Sequence, residues 1–292
     1  MSCYANVLRA SNFIQASINP YKPVICVVLG SGLGAFADTL ERSIIIPYDK
    51  IPGFAVSTAQ GHKGRLVIGE LNGIVVVAMQ GRVHLHEGYP VHQVVLPVRA
   101  MAMLGCRVFI ITNAAGAINK HYRPGDFIFL EDHIYDSSPL GPSPLVGLDD
   151  SRLGPYFPDM TRCYNPELRD YAKIVFEQVL RKMPKNGGVY RFHWGPEYET
   201  PALIKKYEGE GATLAGMSTV PSIIALNQMA QQKDRDWGII RALTVTCVTN
   251  MAAGMQSELN HGEVKDQARR SKGDFIKLLS GLIIGMPREY IS

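Results

Sequence analysis

The run Val24-Ile-Cys-Val-Val-Leu29 stops abruptly at Gly30-Ser-Gly-Leu-Gly34. Its consecutive apolar side chains leave no polar face, so a strand built from them must be covered on both sides. The glycines predict a sharp exit. A strand sheathed on both faces belongs in an α/β protein, and that constraint organises the rest of the chain.

Comparable segments recur. Residues 65–69 and 74–80 are rich in branched apolar residues and flank Leu71-Asn-Gly73, the chemistry of a tight hairpin turn. Val108-Phe-Ile-Ile-Thr112 reads as a buried strand that ends in Asn113-Ala-Ala-Gly116. Asp126-Phe-Ile-Phe-Leu130, Gly188-Val-Tyr190 and stretches near 213–217 and 238–249 predict further strands. Helical spacing marks 5–18, 91–104, about 166–183, 200–208 and 221–231, and one amphipathic helix over about 262–283. Residues 135–165 are rich in Pro, Gly and Ser and have no sustained period. Loops of that length are usually functional or covered by a partner. No clear linker and no internal repeat divides the alternation, so residues 1–292 are read as a single α/β domain around a mixed sheet.

Composition removes several function classes. A formal charge of +4, with Lys and Arg scattered, argues against nucleic acid as a partner. The cysteines, Cys3, Cys26, Cys106, Cys163 and Cys247, are odd in number and form no C-x-x-C pair. Neither a disulfide framework nor a zinc knuckle is expected. The sequence shows no signal peptide and no apolar stretch long enough for a bilayer. A cytoplasmic protein with no membrane contact is expected.

Chemistry in such folds gathers where strands end. Gly30-Ser-Gly-Leu-Gly34 offers converging backbone N–H groups and the Ser31 hydroxyl to an anion, although glycines there serve equally as a plain tight turn. Its third glycine falls one residue too early for a dinucleotide fingerprint, and Ser31 does not sit in G-x-S-x-G. In Gln80-Gly-Arg-Val-His-Leu-His-Glu-Gly-Tyr89, alternation puts Arg82, His84 and His86 on one side, with His62 able to approach. A guanidinium fork there fits two phosphate oxygens. His84-x-His86 also has metal-ligand spacing, but Arg82 beside it would repel a cation and no carboxylate-rich strand end completes the set. Thr112-Asn-Ala-Ala-Gly116 is small enough for the Ala114 backbone to approach a ligand, or for helix–sheet packing. Trp194-Gly-Pro-Glu-Tyr-Glu-Thr200 joins an aromatic, Tyr198, to a carboxylate, Glu199, which suits a flat heterocycle; it also reads as a helix start. Ser218, before Pro221, has helix capping as its simplest role. Asn250 offers the donor and the acceptor that purine recognition requires.

The ordered series GSGLG, GHKGRL, MQGRVHLHEGY, TNAAG, GPEYET, GMSTVP and VTN resembles the trimeric purine nucleoside phosphorylases from about residue 24 to 265. The resemblance implies one α/β domain with a mixed, partly barrel-like central sheet flanked by helices. It implies reversible phosphorolysis of 6-oxopurine nucleosides in purine salvage, with inorganic phosphate as co-substrate and no metal or organic cofactor. Phosphate would be held by Ser31, His62, Arg82, His84, the Ala114 backbone and Ser218. The purine would meet Tyr198, Glu199, Ala215 and Asn250. The ribose would meet His86, Tyr190, Met217 and His261, with Phe157 supplied to a neighbouring subunit of a homotrimer. Asn250, Glu199 and His84 would be catalytic. The related methylthioadenosine phosphorylases, the alternative assignment, place an aspartate at the Asn250 position. Departures from the family pattern are His86 for a common tyrosine, Tyr198 for phenylalanine, Leu203 for an acid, and a polar insertion at 232–236. A nicotinamide oxidoreductase using Gly30–Gly34, a metal hydrolase using His84 and His86, and a non-enzymatic purine binder are the rival readings.

Overall fold

The computed structural model describes residues 2–58, 61–136, 143–147, 150–234, 237–256 and 258–292. Its centre is the predicted strand β1 (Ile25–Leu29), every residue of which is buried. Cys26 and Val28 face one hydrophobic core, and Ile25, Val27 and Leu29 face another. That division is the physical meaning of an apolar run without alternation.

Parallel to β1 lie β4 (Ile74–Gln80) on one side and β5 (Val108–Ala117) on the other. The strand β3 (Arg65–Leu71) forms the expected hairpin with β4. Asn72 and Gly73 both have positive φ, at 50° and 78°, as a two-residue turn of this hand requires. An outer strand, β2 (Glu41–Pro47), pairs antiparallel with β3. The sequence reading misses β2 because the strand is largely exposed and opens with three polar residues.

Beyond β5 the sheet curls. The strands β6 (Phe127–Ile134), β7 (Lys185–Phe192), β8 (Leu214–Gly216) and β9 (Arg241–Met251) follow in the order β5-β8-β7-β6-β9, and β9 pairs back onto β5. These five strands close a mixed barrel continuous with the open β2-β3-β4-β1 wing. Helices α1 (Cys3–Ile18), α2 (Val91–Leu104) and α5 (Val220–Ala230) cover one face; α3 (Pro166–Leu180) and α7 (Lys272–Ile284) cover the other. The helices α4 (Pro201–Gly209) and α6 (His261–Arg270) flank the barrel mouth, and α8 (Arg288–Ile291) ends the chain.

Three expectations are corrected. Asn113-Ala-Ala-Gly116 is not a strand exit, because β5 continues through it against β9. Val248-Thr-Asn250 likewise lies within β9. The single closing helix is two, α6 and α7, divided at Ser271.

Candidate functional site

The end of β1, the loop after β4, and the last residues of β5, β8 and β9 surround a cavity of about 300 Å³. Its lining includes Ser31, Arg82, His84, His86, Ala114, Tyr198, Glu199, Ala215, Met217, Ser218 and Asn250. Residues from six separate motifs thus meet in one space.

One end of this space is an anion trap. Arg82 is buried at 8 % exposure and donates from Nη2 to the Thr112 carbonyl at 2.5 Å. Its Nε and Nη1 have no partner among the described residues. Burial lowers its pKa to about 10, so it remains a cation at neutral pH. Such a charge without an anion is strongly disfavoured unless a ligand supplies one.

His62 stands behind this group. Its Nδ1 accepts from the Arg82 backbone N–H at 2.8 Å, and its Nε2 lies 2.9 Å from Ser31 Oγ. An accepting Nδ1 puts the proton of the neutral ring on Nε2, so His62 donates to Ser31 and frees the serine O–H for an anion. The approach is possible because residue 81 is glycine: its φ is 113°, and a Cβ would lie 2.7 Å from His62 Cβ.

His84 is oriented by Glu87. Both the His84 backbone N–H and Nδ1 reach Glu87 Oε1, at 2.7 and 2.9 Å. Burial pushes the Glu87 carboxyl up, but hydrogen bonds from His84 and Thr58 outweigh it and hold the pKa at about 2. The carboxylate is therefore an acceptor, and Nδ1 carries the proton. Burial lowers the His84 pKa, helped by Arg82 and His86 and opposed by Glu87. A neutral His84 with a protonated Nδ1 leaves Nε2 as an acceptor. The His86 ring stacks on it at 4.9 Å.

His84, His86 and Glu87 also bring ligand-type atoms within 4.8 Å of one another. The carboxylate missing from the sequence reading is thus supplied by Glu87. Both its oxygens are already engaged, however: Oε1 by His84, Oε2 by the Thr58 N–H and hydroxyl at 2.6 and 2.9 Å. A metal would have to displace those bonds beside the Arg82 charge.

The other end of the cavity carries amide and carboxylate chemistry. The pairing of β5 with β9 shifts between Ala115↔Val248 and Gly116↔Asn250, leaving Thr249 as the extra residue of a bulge. The bulge re-aims the strand so that Asn250 meets the cavity. Its Nδ2 donates to the Met251 carbonyl at 3.0 Å, and Thr249 Oγ1 donates to its Oδ1 at 2.9 Å. The carbonyl can only accept, which fixes the amide orientation. Across the space Glu199 is buried, and its Oε1 has no partner among the described residues. Desolvation raises its pKa. Thr200 caps α4 through Leu203 N, so the helix start and the site share one segment.

Some expected residues stand apart from the lining, and Ser218, within it, plays a different local role than the sequence suggests. Tyr190 is fully buried behind Gly216, where its hydroxyl accepts from Ser218 N at 3.3 Å. A Cβ on residue 216 would meet that hydroxyl at 2.3 Å. Ser218 does not cap α5: Thr219 holds the N-cap position with φ 74°, and Ser218 Oγ lies 3.2 Å from Thr219 Oγ1. Phe157 is 88 % exposed, meets the Tyr156 ring edge-on, and is not among the residues lining this cavity. His261 begins α6, but its side chain lies outside the described residues. The lining adds Gly116, Pro196, Thr249, Ala252 and Val264, which the sequence reading does not single out. Thr249 lies inside the VTN motif, whereas Val264 reaches the site only by the return of α6, which no local signal announces.

The cavity lies where the closed barrel meets the open wing, with a buried arginine at one end and amide and carboxylate groups at the other. Residues 24–284 match the model of the phosphorylase superfamily. Purine nucleoside phosphorylase 1 of Geobacillus stearothermophilus is 41 % identical over 96 % of this chain and 97 % of its own. The crystal structure of Schistosoma mansoni purine nucleoside phosphorylase with inosine covers 98 % of this chain and 99 % of that chain, at a TM-score of 0.87 and 32 % identity. Isoform 2 from the same organism, in complex with cytosine and ribose-1-phosphate, has the same coverage and TM-score at 34 % identity. The chain belongs to the purine nucleoside phosphorylase family within that superfamily.

Proposed function

We propose that this chain catalyses the reversible phosphorolysis of 6-oxopurine nucleosides such as inosine and guanosine, or their deoxy forms, to free base and (deoxy)ribose 1-phosphate in purine salvage. The observation that carries this reading is the two-ended cavity: Arg82 presents unpartnered buried N–H groups at one end, and Glu199 and Asn250 face the other. A relative bound to inosine and another bound to ribose-1-phosphate agree with it.

In this reading inorganic phosphate, the co-substrate, is gripped by the Arg82 fork, the Ser31 and Ser218 hydroxyls and the Ala114 backbone. His62 orients Ser31. His84 Nε2 accepts a hydrogen bond from a protonated phosphate oxygen. Glu199 takes the N1–H of the base, and Tyr198 and Ala215 pack on its ring. As the C1′–N9 bond breaks, the ribose gains positive character and the base negative character. Asn250 donates its remaining N–H to N7 of the departing base, a hydrogen bond that strengthens as the charge develops. The negative phosphate stabilises the cationic ribose and then bonds to C1′. His86, Tyr190, Met217 and His261 surround the ribose directly or from behind. The exposed Phe157 reaches the ribose of a neighbouring copy in a homotrimer, and the reaction takes place in the cytoplasm. Neither metal nor organic cofactor enters the sequence of steps.

Hypoxanthine release from inosine, measured with and without phosphate and with adenosine in parallel, tests the reading. Release that requires phosphate and spares adenosine is the expected result. Release without phosphate would make the enzyme a hydrolase.

A further inference from the structure

Thr219 carries a backbone conformation that its side chain disfavours. At φ 74° and ψ −56° it lies outside the ordinary regions for a β-branched residue. The Val220 N–H donates to the Ser218 carbonyl at 2.8 Å, which closes a three-residue γ-turn of the rare, strained hand centred on Thr219. Such backbone persists only where its surroundings over-determine it, and ligand clamps are a common setting. Here the surroundings are explicit. Asn113 of β5 is completely buried, and its Nδ2 donates to Thr219 Oγ1 at 3.0 Å. Its Oδ1 has no partner among the described residues, so the amide serves Thr219 through its donating end. Beside the turn, the Ser218 N–H donates to the buried Tyr190 hydroxyl at 3.3 Å.

Thr219 is 3 % exposed, so its own O–H needs an acceptor inside the protein. Ser218 Oγ, 3.2 Å away, is the acceptor in reach. Donation then runs from Asn113 to Thr219 to Ser218, and it leaves the Ser218 O–H as a donor into the cavity that Ser218 lines. Arg82, whose buried Nε and Nη1 have no partner among the described residues, lines the same cavity and marks it as a place for an anion. We infer that Asn113 and Thr219 are positioning residues for anion binding: they hold Ser218 beside a strained turn with its hydroxyl proton directed at phosphate. The inference rests on the phosphorolysis proposed above for the identity of the anion.

Three consecutive residues of β5 thereby set three parts of the phosphate end. The Thr112 carbonyl receives Arg82, Asn113 holds the turn after Ser218, and Ala114 lines the cavity itself. The two serines are also treated alike, since Thr219 donates to Ser218 as His62 donates to Ser31. A hydroxyl whose oxygen already accepts a hydrogen bond is polarised to donate, which favours an anion over a neutral ligand.

The test is inorganic phosphate binding to the full chain by calorimetry, without nucleoside, alongside steady-state KM for phosphate and for inosine. Thr219→Val removes the hydroxyl and keeps the branched shape. It is expected to weaken phosphate at least about tenfold in both Kd and KM, with KM for inosine changed less than about twofold. Thr219→Ser restores the hydroxyl and is expected to recover phosphate affinity to within about threefold of wild type. In a Ser218→Ala background, Thr219→Val should weaken phosphate by less than about a further twofold, because Thr219 acts through Ser218. If Thr219→Val does not fold, Thr219→Ala carries the same comparison. Wild-type phosphate affinity in Thr219→Val, a loss shared equally by inosine, no recovery in Thr219→Ser, or losses that multiply fully with Ser218→Ala overturn the inference. A wild-type chain that binds no phosphate overturns it too, whereas phosphate binding without hypoxanthine release would sink only the proposed reaction.

Discussion

The two ends of the cavity are built on different terms. At the phosphate end the side chains hold one another in place: His62 joins Ser31 to Arg82, Glu87 holds His84, and Thr112 receives Arg82. Among the described residues nothing accepts from Arg82 Nε and Nη1. At the base end Glu199 keeps an unpartnered oxygen, and Tyr198 is about one-third exposed at 36 %. The phosphate end is preorganised, so it loses little on binding and resists change. The base end is completed by the ligand and is the place where selectivity can vary.

The comparison is broken most directly at Arg82. Arg82→Met should lower kcat/KM for phosphate by at least about 10³-fold, because the charge-assisted bonds vanish while the anion must still be desolvated. A loss below tenfold in steady-state rates would mean that the serines and Ala114 carry the anion. Asn250→Ala should lower kcat by roughly 10²–10³ with KM for phosphate little changed, since its N–H acts on the departing base. Asn250→Asp sharpens the contrast: it should raise the adenosine-to-inosine ratio of kcat/KM by about tenfold, a specificity difference of ~1.4 kcal/mol, and leave phosphate saturation alone. An unchanged ratio would remove Asn250 from base selection.

Acidity separates the two carboxylates. The Glu199 pKa is raised, so the group picks up a proton as pH falls, at a higher pH than an ordinary glutamate. KM for inosine should therefore climb on the acid side, and Glu199→Gln should flatten that climb relative to wild type. The linked stability effect has the opposite sense: an acid with a raised folded-state pKa is favoured when protonated and is a liability once ionised. Glu199→Gln should therefore raise Tm at neutral pH, measured by thermal unfolding. Glu87, held near 2, stays ionised across the same range, and its contribution is lost only as pH falls toward that value. The smallest effect belongs to Tyr198→Phe, which keeps the ring over the base and should change kcat/KM by less than about threefold. A larger drop would reveal a role for the hydroxyl.

The sequence exposes β1, β3 and β4 of the wing clearly, because they are apolar and bounded by glycine or Asn-Gly, whereas the exposed β2 escapes it. The barrel is harder to read. Nothing local says that Asn113–Ala117 continues as a strand, since its extension depends on pairing with β9 more than a hundred residues away. The same non-local contact hides the bulge at Thr249. For the site, the polar residues at strand ends are legible through their chemistry, and the resemblance supplies their roles. Gly216 and Val264 are not, because one matters for the Tyr190 hydroxyl beneath it and the other for the return of α6. The division of α6 from α7 is likewise invisible to an amphipathic pattern that runs through it.

The pairing of β5 with β9 has a consequence for how such an enzyme can diversify. Ala114 and Asn250 belong to two strands held in mutual register, Ala114 opposite Cys247 and Gly116 opposite Asn250. In the proposed reaction the strand pair acts as a ruler between the anion and the leaving group. A lineage that exchanges the amide at 250 for another side chain inherits the spacing unchanged, so new bases can be tried without rebuilding the reaction. An insertion or deletion in either strand would slide one mark against the other, and no single compensating substitution would restore the spacing.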